Sequence, residues 1–344
     1  FERAKKEVAE KSLDVLYNCV IWTYLFSGPK QYEKIDIRTE MMSLIEEREK
    51  SKINGDTQKL ESIRQKLIKL DSQIIPGYKY TGTVYREIGM QNSDYGGMEN
   101  VGNTTISTNR IMPFEDMTDS GFEYMASVKI HEYYHNLNGS EVTGKDPFQI
   151  WLNEAVTVIL EKKYHEFLFG KDYGRLKTVL TLLAPSNGTF ALDQGASVMP
   201  ILPEGFNDPN ELITGVTYVK APEFVKMIET FMGKDVFAEG LDLYHKRFSH
   251  RNATTEDWIR AMEEVSGINF SEMANQWLKQ TGFPTLEIKS NYNEKTKRLN
   301  VELKQIVPME EALWTFPLKL AILNKEGDEI IEEIIRIDRY ENTI

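Results

Sequence analysis

A single cysteine, Cys19, stands in a chain of 344 residues, so no intrachain disulfide can form and the composition gives no sign of an oxidising compartment. The thiol reads as a buried structural one. No apolar run approaches the roughly 20 residues that span a bilayer. The opening residues FERAKKEVAEK form a charged helix pattern and not a secretory signal. On these grounds the chain reads as soluble and cytoplasmic. An excess of basic residues is also missing: the formal net charge is -12. That excludes a broad surface for nucleic acid or an anionic membrane, either of which requires concentrated Lys and Arg. Internal repeats and low-complexity tracts are absent. Histidine is scarce, at five residues. The chain opens on Phe1 and not on methionine, which points to a preceding segment outside this sequence.

What is present is the profile of a folded protein, with 41% hydrophobic, 27% charged and 11% aromatic residues. The length exceeds the roughly 250–300 residues at which single cores stop growing, so more than one domain is expected. Residues 2–26 place Val8, Leu16, Val20, Ile21 and Tyr24 near helical spacing, and the SGP at 27–29 ends that helix. Residues 31–73 are dense in Lys, Glu, Gln and Arg and break at NGD (54–56), which predicts a solvated helical hairpin. From 78 the texture turns β-rich, in YKYTGTVYREIG and in TTIST at 104–108, predicting a small sheet. Long amphipathic helices occupy 115–283, with a proline-punctuated extended loop at 185–209. After Pro284, TLEIKS, RLNVELKQ, FPLKLAIL and EIIEEIIRI alternate as four strands, predicting a small β-sandwich.

Two of the five histidines lie in SVKIHEYYHN, four residues apart. On a helix, positions i and i+4 share a face, so His131 and His135 can aim ring nitrogens at one point. Neutral imidazoles are good zinc donors, and Glu132 beside the first of them can accept a proton from a water on that metal. A pair of ordinary helix histidines, one capping and one packed, is the plain alternative. The following helix, FQIWLNEAVTVILEKKY, carries Glu154 eighteen intervening residues after His135, room for one helix to end, a loop to turn at TGKDP and a second helix to return. His131, His135 and Glu154 then make the ligand set of thermolysin and carboxypeptidase A. In YGGMENVGN at 95–103, the glycines allow close approach of a backbone, suited to an edge strand that pairs with a peptide. A simple turn would carry the same residues.

Taken together, GGMEN at 96–100, HEYYH at 131–135 and NEA at 153–155 resemble the aminopeptidase N family of zinc peptidases. The likeness extends through ITGVTYVKAPEFVKMIE, where Tyr218 and Lys220 fall on the family's Tyr-x-Lys pattern, and through TTEDWIRAMEEVSG and ANQWLKQTGFP. It implies an α+β fold: a thermolysin-like catalytic domain, with a small mixed β-sheet and a mainly helical lobe, over 1–283. The hairpin at 31–73 would be an insertion, and a small β-sandwich would follow over 284–344. One zinc ion per chain would lie on His131, His135 and Glu154, with Glu132 as general base. Gly96, Gly97 and Met98 would line the bound peptide, Glu99 would hold its free α-amino group, and Tyr218 would donate to the tetrahedral oxyanion. The implied partners are peptides with a free N-terminus, with no nucleic acid and no membrane.

The sequence departs from the family pattern at Ala155, where glycine is usual, and at Lys220-Ala221-Pro222, where Lys-Gly-Ala is usual. The family's flanking domains, β-rich before and helical after, are not present in full. A metal-binding scaffold with little turnover therefore stays open as a second class of function, and an endopeptidase without amine recognition as a related one.

Overall fold

The computed structural model describes residues 35–74, 85–93, 95–195, 198–307 and 313–344. The helix expected at 2–26, Cys19, and residues 78–84 of the β-rich stretch lie outside these. In chain order, helices α1 (Ile35–Ile53) and α2 (Thr57–Ile74) come first, then strands β1 (Glu87–Met90), β2 (Gly97–Met98) and β3 (Thr104–Ser107). Helix α3 (Asp119–Tyr134), strand β4 (Val142–Gly144) and helices α4 (Ile150–Phe169) and α5 (Lys171–Leu183) follow. Then come α6 (Ala221–Met232), α7 (Lys234–Phe248), β5 (Arg251–Ala253), α8 (Thr255–Ser266) and α9 (Ser271–Lys279). The chain closes on β6 (Thr285–Asn293), β7 (Arg298–Ile306), β8 (Phe316–Leu323), β9 (Glu329–Ile337) and β10 (Glu341–Thr343). No helix among the described residues is long and apolar enough to cross a membrane.

These elements fall into two compact units, the first of the described residues within 35–145, 152–178 and 241–253 and the second of those within 146–151, 179–240 and 254–344. In the first, the NGD break does what its chemistry predicts. Gly55 takes a φ of 68°, a left-handed value that a side chain would resist. The Asp56 carboxylate then accepts from Lys59 N at 3.0 Å, starting α2. Lys59 returns to Glu47 across the hairpin at 3.0 Å.

The sheet has the order β1-β3-β2, with β1 parallel to β3 and β2 antiparallel to it, which leaves β2 at an edge among the described residues. Helix α3 starts where the Thr118 hydroxyl accepts from Gly121 N, and it packs on β2 and β3. Lys129, on α3, is fully buried against Glu87 of β1, whose carboxylate it binds. Tyr85 adds a long hydroxyl contact to Glu87 at 3.5 Å. Burial raises the Glu87 carboxyl, while the Lys129 ammonium opposes that rise. Farther along α3, Glu123 accepts from His165 Nε2 (2.6 Å) on α4 and from Tyr173 Oη (3.0 Å) and Lys177 Nζ (2.7 Å) on α5. Two buried carboxylates thus fix the helix, one to the sheet and one to its helical neighbours.

The loop expected to turn at TGKDP contains a strand. Val142, Thr143 and Gly144 pair in parallel with Arg251, Asn252 and Ala253, 109 positions later in the chain. A three-residue strand completed at such distance carries no local signal. Beside it, His245 is buried, with Nε2 3.4 Å from Asn138 Oδ1. Burial pushes its imidazole down to about 4, against the weaker pull of Glu141 and Asp242. A base with a depressed folded pKa stabilises the fold above its unfolded value near 6.5, and that contribution is lost as pH falls toward 4. Between pH 6.5 and 5 the loss from this residue is about 1.5 kcal/mol. Denaturant melts of the His245→Gln form should therefore fall less steeply over that interval than those of the unmodified protein; parallel curves would show that His245 titrates normally.

In the second unit, Trp151 stacks edge-on against Phe224 and Trp258 at 5.9 and 6.0 Å between centroids. Its indole N–H donates to Thr255 Oγ1 at 3.0 Å. Thr254 and Asp257 form a reciprocal capping box at the start of α8, and Gly267 closes that helix in the left-handed region. The loop expected over 185–209 holds one helical turn, Thr189–Leu192. The four alternating segments are all strands. β6, β7 and β10 form an antiparallel sheet in the order β10-β7-β6, and β8 pairs with β9.

Candidate active site

Helix α3 presents the residues of SVKIHEYYHN in the way the i, i+4 spacing requires. His131 lies in its last turn and His135 caps its end in a helical conformation. Their Nε2 atoms are 2.9 Å apart. From α4, Glu154 Oε2 comes to 3.1 Å from His131 Nε2 and 3.3 Å from His135 Nε2. An ion bonded at about 2.0–2.2 Å to tetrahedral ligands needs those ligand atoms roughly 3.3–3.6 Å apart. The three observed separations match that demand to within a few tenths of an ångström, and the donor set, two imidazoles and a carboxylate, suits a borderline cation such as zinc.

The outer ring nitrogens are also engaged. His135 Nδ1 donates to the Asn138 carbonyl at 2.9 Å, which leaves Nε2 as the bare nitrogen facing inward. His131 Nδ1 lies 3.1 Å from Glu161 Oε2, two turns beyond Glu154 on α4. Asn138 donates its amide to the Leu152 and Asn153 carbonyls at 2.9 Å each, which ties the end of α3 to the start of α4. Gly139 follows with φ of 113°, and a Cβ there would lie 2.8 Å from His135 Nδ1. None of these supports was singled out in the sequence. The Asn-Gly pair at 138–139 and the seven-residue step from Glu154 to Glu161 are the signals that could have marked them.

The electrostatics describe a site short of positive charge. Burial would lower His131, but the Glu154 and Glu161 carboxylates overcome it and hold the imidazole well above its ordinary value. Burial would raise Glu154, and the two imidazoles instead hold it far below the carboxylate range. Glu132 behaves oppositely. Burial pushes it up to about 7, against His131 and His135, with the Glu99 and Glu154 charges adding to the rise.

Glu132 packs directly under β2. A Cβ on Gly97 would lie 2.4 Å from Glu132 Oε1, so only glycine lets the strand approach this closely. The Gly96 carbonyl points into the sheet and accepts from Ser107 N at 3.0 Å. In an antiparallel ladder the bonding alternates, so Gly97 turns its N–H and C=O to the open edge. Glu99, half-buried, offers a carboxylate oxygen within 4.8 Å of ligand atoms of both Glu132 and His135. Met98 is 47% exposed. Ala155 is fully buried, so the methyl that replaces the usual glycine is accommodated in the core.

Tyr218 belongs to the second unit, half-buried on a single turn of π-helix, Val216–Lys220. Pro222 accounts for that turn. It has no N–H for the Tyr218 carbonyl four residues back, and its ring would clash there in a regular helix. The widened turn closes through Ala221 N to Val216 O. Lys220 anchors it, buried against Asp193 at 2.7 Å. Asp193 also accepts from Gly282 N at 2.9 Å.

The Peptidase family M1 domain matches residues 59–277, more than half of the chain and the whole of the site described above. The chain belongs to peptidase family M1. Among its M1 relatives, aminopeptidase N of Escherichia coli (strain K12) is 28% identical over 260 residues, covering 74% of this chain and 29% of that protein. Aminopeptidase N of Haemophilus influenzae (strain ATCC 51907 / DSM 11121 / KW20 / Rd) is 28% identical over 285 residues, covering 81% and 32% respectively. The chain thus spans about a third of the length of these M1 proteins. A crystal structure of Legionella pneumophila aminopeptidase A in complex with aspartic acid superposes with a TM-score of 0.68 at 22% identity, over 80% of this chain and 31% of that one. That likeness establishes the α+β, thermolysin-like fold expected for an M1 catalytic domain.

Proposed function

We propose that this chain carries the catalytic machinery of a zinc-dependent aminopeptidase. The observation that supports it most is the convergence of His131, His135 and Glu154 on one point, with the Glu132 and Glu99 carboxylates beside it. His131, His135 and Glu154 would hold one zinc ion per chain. When bound, zinc supplies Lewis-acid chemistry, acidifying a water and polarising a carbonyl.

The chain's own groups do the rest. The β2 edge, through the outward N–H and C=O of Gly97, pairs with the peptide main chain, and Gly96 keeps the strand free of a side chain at that level. Glu99 faces the free α-ammonium in a charge-assisted contact that an acylated terminus cannot make. Glu132, shielded from water and close to neutrality in its proton affinity, takes the proton of the attacking water and returns it to the leaving amine. Tyr218, assigned this role only by its likeness to the family's Tyr-x-Lys pattern, would donate its hydroxyl to the developing oxyanion. Met98 borders the first side chain of the substrate.

The test pairs bound-metal analysis with hydrolysis of matched peptides whose N-terminus is free or acetylated. One zinc per chain with cleavage of the free peptide alone is the expected result. Equal cleavage of both would refute amine recognition by Glu99. Zinc without cleavage would favour the reading of a metal-binding scaffold, for which the π-turn that Pro222 imposes beneath Tyr218 is the motive.

A further inference from the structure

We infer that Arg110 forms a downstream subsite that reads a carboxylate on the third or fourth residue of a bound peptide. The inference rests on the proposed placement of the substrate's amine at Glu99 and of its main chain along β2.

Two independent alignments put Arg110 at the far end of that path. Along the sheet, Ser107 stands opposite Gly96 and β3 runs antiparallel to β2. The chain that continues past Ser107 therefore leaves the ladder on the side of Gly96 away from Glu99 and turns at once into the short helix Thr108–Ile111, which carries Arg110 and packs on α3. Along α3, Glu99 lies near His135 and Glu132, Gly97 lies over Glu132, and Gly96 lies over Val128 and the Tyr124 hydroxyl. The helix thus marks the same direction, from the amine end at Glu132 toward Tyr124. The Arg110 guanidinium sits 4.6 Å from the centroid of the Tyr124 ring. A peptide held by its amine at Glu99 runs antiparallel to β2 at roughly 3.3 Å per residue, and two to three residues take it past Gly96 to this cation.

The guanidinium has capacity to spare. Among the described residues it donates one weak bond, from Nη1 to the carbonyl of its neighbour Asn109 at 3.4 Å. It makes no ion pair with a carboxylate among the described residues, in a chain with 53 acidic side chains against 41 Lys and Arg. Tyr124 is 49% exposed, so the stacked pair stands at the surface where a substrate can reach it. Stacking on the ring holds the planar fork in place, and that fork matches a carboxylate in two parallel hydrogen bonds. The carboxylate can come from the C-terminus of a short peptide or from an Asp or Glu side chain.

The zinc-loaded protein would be assayed on Leu-Gly-Gly and Leu-Gly-Gly-Gly as free acids and as C-terminal amides, and on the amides Leu-Gly-Asp-Gly and Leu-Gly-Asn-Gly. We expect kcat/KM to favour the carboxylate member of at least one pair by about five- to tenfold. The acid-over-amide pairs would mark a terminal carboxylate, and the Asp-over-Asn pair a side chain. That preference should shrink toward one in 1 M salt and in Arg110→Gln, and persist in part in Arg110→Lys. Ratios near one in the unmodified protein, or a preference that Arg110→Gln leaves intact, would overturn the subsite. An aminoacyl anilide, which has no downstream residues, reports on the catalytic reading separately. If neither anilide nor peptides are cleaved, calorimetric binding of the same pairs to the zinc-loaded protein decides the subsite by the same ratios.

Discussion

Glu132→Gln is expected to cut hydrolysis of an aminoacyl anilide by about 10²–10⁴-fold while one zinc still binds per chain. The magnitude is that of a positioned general base, and the retained metal follows because Glu132 is not among the three convergent donors. Glutamine keeps the shape and loses the basic oxygen. The pH profile provides a second reading. Glu132 must be ionised to accept a proton, so activity falls as pH drops through its pKa. That value stands at about 7, chiefly from burial and against the pull of His131 and His135, and the positive charge of a bound dication moves it lower. The acid limb should therefore lie below pH 7 in the unmodified protein and vanish from the residual activity of the glutamine form. Residual activity within threefold of the unmodified protein would remove Glu132 from the mechanism.

Gly97→Ala should be nearly as damaging, though it adds one methyl and removes nothing. The new Cβ would lie 2.4, 2.6 and 2.7 Å from Oε1, Cγ and Cδ of Glu132. Either the carboxylate or the strand must move by about an ångström, a displacement that costs roughly 10²-fold where proton transfer depends on alignment. Zinc content should stay at one per chain, because the contact involves none of the three donors. The loss should fall mainly on kcat for the anilide, which takes little from the strand, and on both kcat and KM for peptides that pair with it. An alanine form with near-normal turnover would mean that Glu132 works from a different rotamer.

Much of this site is legible in the sequence because helical geometry is local. His131, Glu132 and His135 needed only the i, i+4 rule, and Glu154 only a following helix. The hairpin turn at Asn54-Gly55-Asp56 and the four alternating strands after Pro284 were readable for the same reason. What escaped depends on distance. Nothing in the local sequence marks Lys129 as buried, yet it is fully buried where Glu87, 42 positions earlier, meets it on β1. Strand β4 is too short to carry a periodicity, and its partner lies far downstream. Glu161, Asn138 and Gly139 do their work on the hidden side of the imidazoles, where residue type alone does not reveal a neighbour. Arg110 is one of 41 basic residues until the sheet register shows which end of β2 it follows.

The pairing of β4 with β5 has a consequence for synthesis. All three convergent donors have left the ribosome once Glu154 has emerged, but the loop behind His135 is completed by Arg251–Ala253 and by His245 against Asn138. At translation rates of about 5–20 residues per second, roughly 5–20 seconds separate the two events. During that interval the nascent chain holds the donors without the strand that braces them. The donors are therefore complete in the nascent sequence before the strand that lies behind them exists. Zinc supplied during translation and zinc added to the finished protein would then load at different rates.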